Sequence, residues 1–230
     1  MGTASMEMNR ASRLSREEVT RKLLHLIALV MPLGIFYLPR WSFPRSIAPI
    51  FLTVLFAGSV LIEMSRFGSP VVQRAFFRFF GWLLRKEERF KIAGSTWVIG
   101  AAALCSILFF SATYVSCMAL SLFMIGDAAA ALVGISIGRI KIGKKSLEGS
   151  LACFLSCVAL SYGLFPFLPG LLDPWGGMLP LPLVLVTAAM VTVFELVPLR
   201  IARNIVINDN LAVPVIAGYT MLGMEKMLGM

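Results

Sequence analysis

The chain has 230 residues, 58% hydrophobic and only 14% charged, with a mean hydropathy of +0.85. An ordinary soluble domain carries about 25% charged residues, so composition excludes that class. The 21 Lys and Arg against 12 Asp and Glu give a net charge of +9. In a soluble chain that balance would suggest nucleic acid; in a membrane chain it records loop orientation, and no nucleic-acid partner is expected.

Residues 1–22 form a polar, basic amino-terminal segment. The apolar run after it, Leu23–Leu38, lacks a following small-residue cleavage site, so a removed signal peptide is not expected. Runs approaching the roughly 20 residues needed to cross a hydrocarbon core then follow at Ile47–Met64, Thr96–Phe110, Thr113–Ile137, Leu147–Leu168, Met178–Leu199 and Leu211–Leu228. The expected fold is all-α: a polytopic integral membrane bundle of about seven transmembrane helices in one domain, residues 1–230. Ser111 and Ala112 predict a tight hairpin between the third and fourth spans, and Gly170, Asp173, Pro174, Gly176 and Gly177 a turn after the fifth. Between spans two and three, Val72, Phe76, Phe79 and Leu83 recur at helical spacing, with Arg74, Arg78, Arg85 and Arg89 on another face. That pattern predicts a cytosolic amphipathic helix in the headgroup layer, an anchor or a gate for a lipid substrate.

Counted loop by loop, 18 of the 21 cations fall on one side of a seven-span bundle and 3 on the other. This asymmetry predicts a cytosolic amino terminus. Acidic residues gather on the same side: Glu63, Glu148, Glu195 and Asp209 near span ends, and Asp127 within span four. An acid inside a span costs several kcal/mol and usually marks a functional site. Asp127 stands alone in SLFMIGDAAAALVGISIG, with Ala131, Gly134 and Gly138 on its helical face. Those small residues signal either close helix packing through GxxxG or a groove beneath the carboxylate.

The starts of spans three, five and seven all face the basic loops. Gly94, Ser95 and Thr96, then Ser146 and Ser150, then Asn208, Asp209 and Asn210 are expected to cap them and to offer anion sites. Asp127 and Asp209 form a carboxylate pair suited to Mg²⁺, which takes one or two carboxylates besides water and phosphate oxygens. Lys145, with Lys144 and Arg139, would neutralise a polyphosphate, and phosphoryl transfer is the chemistry such a set serves. GRIKIGKKS is not a Walker A loop, because its Gly and Lys spacing departs from GxxxxGK[ST]. His25, the one histidine, follows Arg21 and Lys22 by about one helical turn; it would take a hydroxyl proton, bind phosphate, or simply sit at the interface. Cys105, Cys117, Cys153 and Cys157 read as helix-packing residues without disulfide or metal spacing.

EVTRKLLH near the amino terminus, GDAAAALVGISIG followed by KKSLEGS, and NDNLAVP occur in that order. In these pieces the chain resembles the dolichol, polyprenol and phytol kinase family, which includes CTP-dependent diacylglycerol kinases. The resemblance implies a membrane enzyme that moves the γ-phosphate of CTP to a lipid alcohol with a divalent cation. By matching positions it implies catalytic or nucleotide roles for Arg21, Lys22, His25, Gly126, Asp127, Gly134, Lys145, Ser146, Glu148, Gly149, Asp209 and Asn210. The wider superfamily resemblance includes phosphatidate cytidylyltransferases, whose PGHGG and DRxD elements are absent here.

The expectation is therefore a CTP-dependent polyprenol, dolichol, phytol or diacylglycerol kinase. It would sit in a cell inner membrane or the endoplasmic reticulum, with a cytosolic active site. The alternatives are CMP transfer to a lipid, a membrane transporter whose acids line an ion path, and a non-catalytic scaffold. Clustering of the acids at one face and the lack of an evident inverted repeat weigh against transport.

Overall fold

Apolar runs of this length fold as helices because, in hydrocarbon, a helix satisfies its backbone groups within one segment. The computed structural model describes residues 27–80, 91–143, 145–197, 199–202 and 205–229. Eight α-helices lie among them: α1 (Val30–Tyr37), α2 (Ile47–Gly68), α3 (Pro70–Phe80), α4 (Gly94–Leu108), α5 (Thr113–Ser136), α6 (Leu147–Gly163), α7 (Leu181–Leu196) and α8 (Asp209–Met227). Two short antiparallel hairpins interrupt them. β1 (Lys141–Ile142) pairs with β2 (Lys145–Ser146) between α5 and α6, and β3 (Arg200–Ala202) with β4 (Ile205–Val206) between α7 and α8.

Three segments are long and apolar enough to cross a membrane: α2 with 22 residues, α5 with 24, and α6 extended by a 3₁₀ turn to Phe167, with 21. α4 and α7 are shorter apolar helices. Five of the last six expected spans overlap these helices and the last overlaps α8, which is not among the apolar helices long enough to cross, while Leu23–Leu38 is described only from Ile27. The fifth run is shorter as a regular helix than expected, ending at Gly163. Pro166 follows within the 3₁₀ turn Phe165–Phe167, and proline has no N–H to continue an α-helical ladder.

α5 is the axis of the bundle. Every residue from Val115 to Met124 is buried, and the helix touches α1, α4, α6, α7 and α8. A helix that is apolar all round belongs in the middle. α2 is peripheral: 17% of its apolar window is buried, against 56% for α5. Ile50, Phe51, Val54, Leu61 and Ile62 of α2 are exposed, the arrangement expected where lipid covers the outer face. All four cysteines are free and buried, consistent with their expected packing role.

α3 covers the first part of the expected amphipathic helix; Leu83, Arg85 and Arg89 lie outside the described residues. Val72 and Phe79 are exposed, Phe76 is half-buried, and Arg74 and Arg78 are exposed. The remaining side-chain contacts gather toward two ends. At one end Arg40 Nη2 donates to the Gly170 carbonyl at 3.0 Å and Tyr37 Oη to the Pro169 carbonyl at 3.3 Å. The other joins the starts of α4, α6 and α8 to the ends of α2 and α7.

Candidate functional site

The hairpin β1–β2 carries Lys145 toward the end of α7 and the start of α8. There Lys145 Nζ lies 2.7 Å from Glu195 Oε1 and 3.3 Å from Asp209 Oδ2, and it also donates to the Glu195 carbonyl. Asp127, from the middle of α5, acts on both Lys145 and Glu195 through its charge. Burial alone would lower the Lys145 pKa, but Glu195, Asp209 and Asp127 outweigh it and hold the ammonium above its ordinary value. Lys145 is thus a fixed cation among three carboxylates.

The set is graded in depth. The Asp209 side chain is 38% exposed, that of Lys145 31% and that of Glu195 4%. Glu195 Oε1 is matched by Lys145, whereas Oε2 is buried without a hydrogen-bond partner among the described residues. A buried acceptor left unmatched costs about 1–3 kcal/mol, more when charged. Among the described residues no three His, Cys, Asp or Glu side chains converge to hold a metal ion.

The helix starts differ from the sequence expectation. Ser146 does cap α6, accepting from the Gly149 N–H at 3.2 Å, and Asn208 caps α8, accepting from Asn210 N–H at 3.0 Å. For α4, however, the N-cap residue is Ala93, not Gly94, Ser95 or Thr96, and its own side chain makes no capping hydrogen bond. The Ala93 N–H donates instead to Glu63 Oε1 at 3.2 Å, and Asn210 Nδ2 to the Gly94 carbonyl at 3.2 Å. Some amides at the starts of α6 and α8 are engaged internally. Leu147 N–H donates to the Ile140 carbonyl, and Leu211 and Ala212 N–H to that of Asn208.

The glycines near Asp127 serve close approach, the packing reading of the two the sequence left open. A Cβ at Gly134 would come within 2.9 Å of Ser146 Oγ, and one at Gly138 would meet the Gly134 carbonyl and Ser146. A Cβ at Gly149 would lie 2.6 Å from the Ala130 carbonyl, and one at Gly126 2.9 Å from Cys153 Sγ. Ser146 therefore occupies the space that Gly134 and Gly138 leave. Ser150 is buried and turns its hydroxyl back to the Ser146 carbonyl at 3.2 Å. Glu148 accepts from the backbone N–H groups of Arg139 at 3.0 Å and Ile140 at 3.1 Å, which fixes the loop after α5. The Arg139 side chain is exposed. Arg21, Lys22, His25 and Lys144 lie outside the described residues.

One charged pair was not singled out in the sequence. Arg66, counted there only as a loop cation, is 1% exposed and Glu63 2%. Arg66 Nε donates to Glu63 Oε2 at 2.6 Å and Nη2 to the Lys91 carbonyl at 2.6 Å, with the guanidinium 5.0 Å from the Phe76 ring centre. The pair ties α2 to α3 and to the start of α4. Its sequence signal is the i, i+3 spacing in EMSR at the close of an apolar run.

No family model matches the chain, and no solved structure matches it. The uncharacterized protein RP860 of Rickettsia prowazekii (strain Madrid E) is 28% identical over 200 residues, covering 86% of this chain and 89% of that protein.

Proposed function

We propose that the protein is a CTP-dependent lipid-alcohol kinase, transferring the γ-phosphate of CTP to a polyprenol, dolichol, phytol or diacylglycerol hydroxyl. The observation that carries the reading is Lys145 held between Glu195 and Asp209 with Asp127 acting on it. Phosphoryl transfer asks mainly for positioning and neutralisation of charge. A fixed ammonium beside several carboxylates supplies a contact for phosphate oxygens and hard donors for a cation. The motifs GDAAAALVGISIG, KKSLEGS and NDNLAVP, which resemble those of the lipid-alcohol kinases, support the same assignment.

In this reading all seven helical runs cross the membrane and the amino terminus is cytosolic, with 18 of 21 cations on that side. The membrane is a cell inner membrane or the endoplasmic reticulum, and α3 rests in its headgroup layer. Asp127 and Asp209 would hold Mg²⁺ together with phosphate oxygens and water, a demand that one or two carboxylates meet without a three-ligand cage. Bound there, the ion would supply charge neutralisation on the phosphates. Lys145 orients the γ-phosphate, Asn208 and Asn210 keep Asp209 at the start of α8, and Ser146, Gly149 and Glu148 fix the turn that presents Lys145. The motif resemblance gives nucleotide or catalytic roles to Arg21, Lys22 and His25, and Arg139 and Lys144 add positive charge to the loop before Ser146.

The test is transfer of label from γ-labelled CTP to extractable lipid by purified protein with Mg²⁺ and candidate alcohols. Label on the lipid is expected, and Asp127→Asn should abolish it while the variant still inserts and folds. Release of pyrophosphate with CMP attached to the lipid would overturn the kinase reading in favour of cytidylyl transfer. Ion flux in liposomes without nucleotide turnover would replace it with transport.

A further inference from the structure

We infer that Glu195 is the group that receives the hydroxyl of the lipid acceptor, hydrogen-bonding it through Oε2 and taking its proton during transfer. The inference rests on the kinase reading and adds to it a catalytic residue and an order of substrates across the site. Glu195 is buried near the end of α7, with Oε1 on Lys145 and Oε2 without a hydrogen-bond partner among the described residues. A carboxylate accepts hydrogen bonds and donates none while ionised, so the group that completes it must be a donor. The gradient of exposure tells from which side the donor comes. Asp209 is the most exposed member, Lys145 stands between, and Glu195 is the deepest. Nucleotide phosphates reach Lys145 and Asp209 from water, and a lipid hydroxyl reaches Glu195 from the apolar interior. The γ-phosphorus then lies between the two, at the ammonium.

The step balances. As the alcohol oxygen bonds to the γ-phosphorus, its proton passes to Glu195 Oε2 and the bond from the γ-phosphorus to the bridging oxygen breaks. CDP leaves with that electron pair. The proton returns to water past Asp209 once the phosphorylated lipid has gone. The charged groups facing Glu195 from the neighbouring elements are Lys145 on β2, Asp209 on α8 and Asp127 on α5. Lys145 keeps Oε1 engaged, which leaves Oε2 as the oxygen that faces the acceptor.

Two measurements test this separately from the reaction class. In the first, thermal unfolding of the wild-type protein in detergent is followed with phytol and with phytol methyl ether, without nucleotide. The alcohol should raise the unfolding temperature and the ether, which has no donor, should not; equal shifts from both would overturn the inference. In the second, Glu195→Gln is compared with wild type in the label-transfer assay. A fall in kcat of about 10²–10⁴-fold is expected with KM for CTP unchanged, and Glu195→Asp should recover part of it. A raised KM for CTP with unchanged kcat would make Glu195 only a holder of Lys145 and overturn the assignment. If wild-type protein moves no label while still distinguishing alcohol from ether, the kinase reading fails and the hydroxyl site stands.

Discussion

Replacing Gly149 with alanine puts a methyl group 2.6 Å from the Ala130 carbonyl, a backbone atom on the axial helix α5. A backbone carbonyl cannot rotate away as a side chain would, so the helices themselves must part. Restoring an ordinary contact of 3.4 Å requires α5 and α6 to separate locally by roughly 0.8 Å. Strain of this kind in a well-filled interior is worth about 1–3 kcal/mol. At about 2–4 °C per kcal/mol for a chain of this size, unfolding in detergent should fall by about 2–12 °C. Gly223→Ala in α8 is the matched control, because a Cβ there meets nothing within 4 Å. It should leave stability unchanged or raise it by about 0.4–1 kcal/mol through the unfolded chain. The assay is circular dichroism at increasing temperature on both variants in one detergent. A Gly149→Ala protein that melts at or above wild type would refute the close approach of α5 and α6.

Three further outcomes follow from the charged groups. Glu63→Gln should lower stability by about 3–5 kcal/mol, because it leaves the Arg66 guanidinium buried without its carboxylate; an effect below about 0.5 kcal/mol in chemical unfolding would show the pair to be solvated. The double replacement Glu63→Leu with Arg66→Met should lose less than the two single changes together, since it removes both charges. For Lys145 the folded pKa lies above the unfolded value. Its ion-pair contribution is therefore complete below the ordinary lysine value and is lost as pH rises through the raised one. The difference in unfolding temperature between wild type and Lys145→Met should stay constant from about pH 7 to 9 and shrink above about pH 10.5. A difference that shrinks already between pH 7 and 9 would contradict the pairing.

The helices were legible because their boundaries are written in residues that cannot continue an apolar run, such as the Gly170–Gly177 turn and the basic loop before Ser146. The cap at Ser146 was legible for the same local reason: a hydroxyl three residues before an amide is sufficient geometry. The start of α4 was not, because Glu63, thirty residues earlier in the chain, satisfies the Ala93 amide. Nothing local to Gly94, Ser95 and Thr96 announces that partner. Gly134 and Gly138 admitted two readings, and only the position of Ser146 across from them decides for close approach. Asp127, Lys145 and Asp209 stood out as charges in or beside apolar runs, and the fold brings them into one field. Glu195 stood out equally, but its role depends on which oxygen Lys145 occupies, and that is a property of tertiary geometry alone.

Ser146 has a consequence that reaches beyond stability. Its hydroxyl caps α6 and at the same time fills the space beside Gly134. Alanine at 146 alone would lose the cap, about 1 kcal/mol, and leave a void; alanine at 134 alone would collide with the hydroxyl. Made together, the new methyl group enters the space the oxygen vacated, and the two losses do not add. Each single change is thus worse than the pair, a case of sign epistasis. Among descendants of this chain the residues at 134 and 146 are expected to be inherited as a couple, crossing any change by a valley rather than a slope.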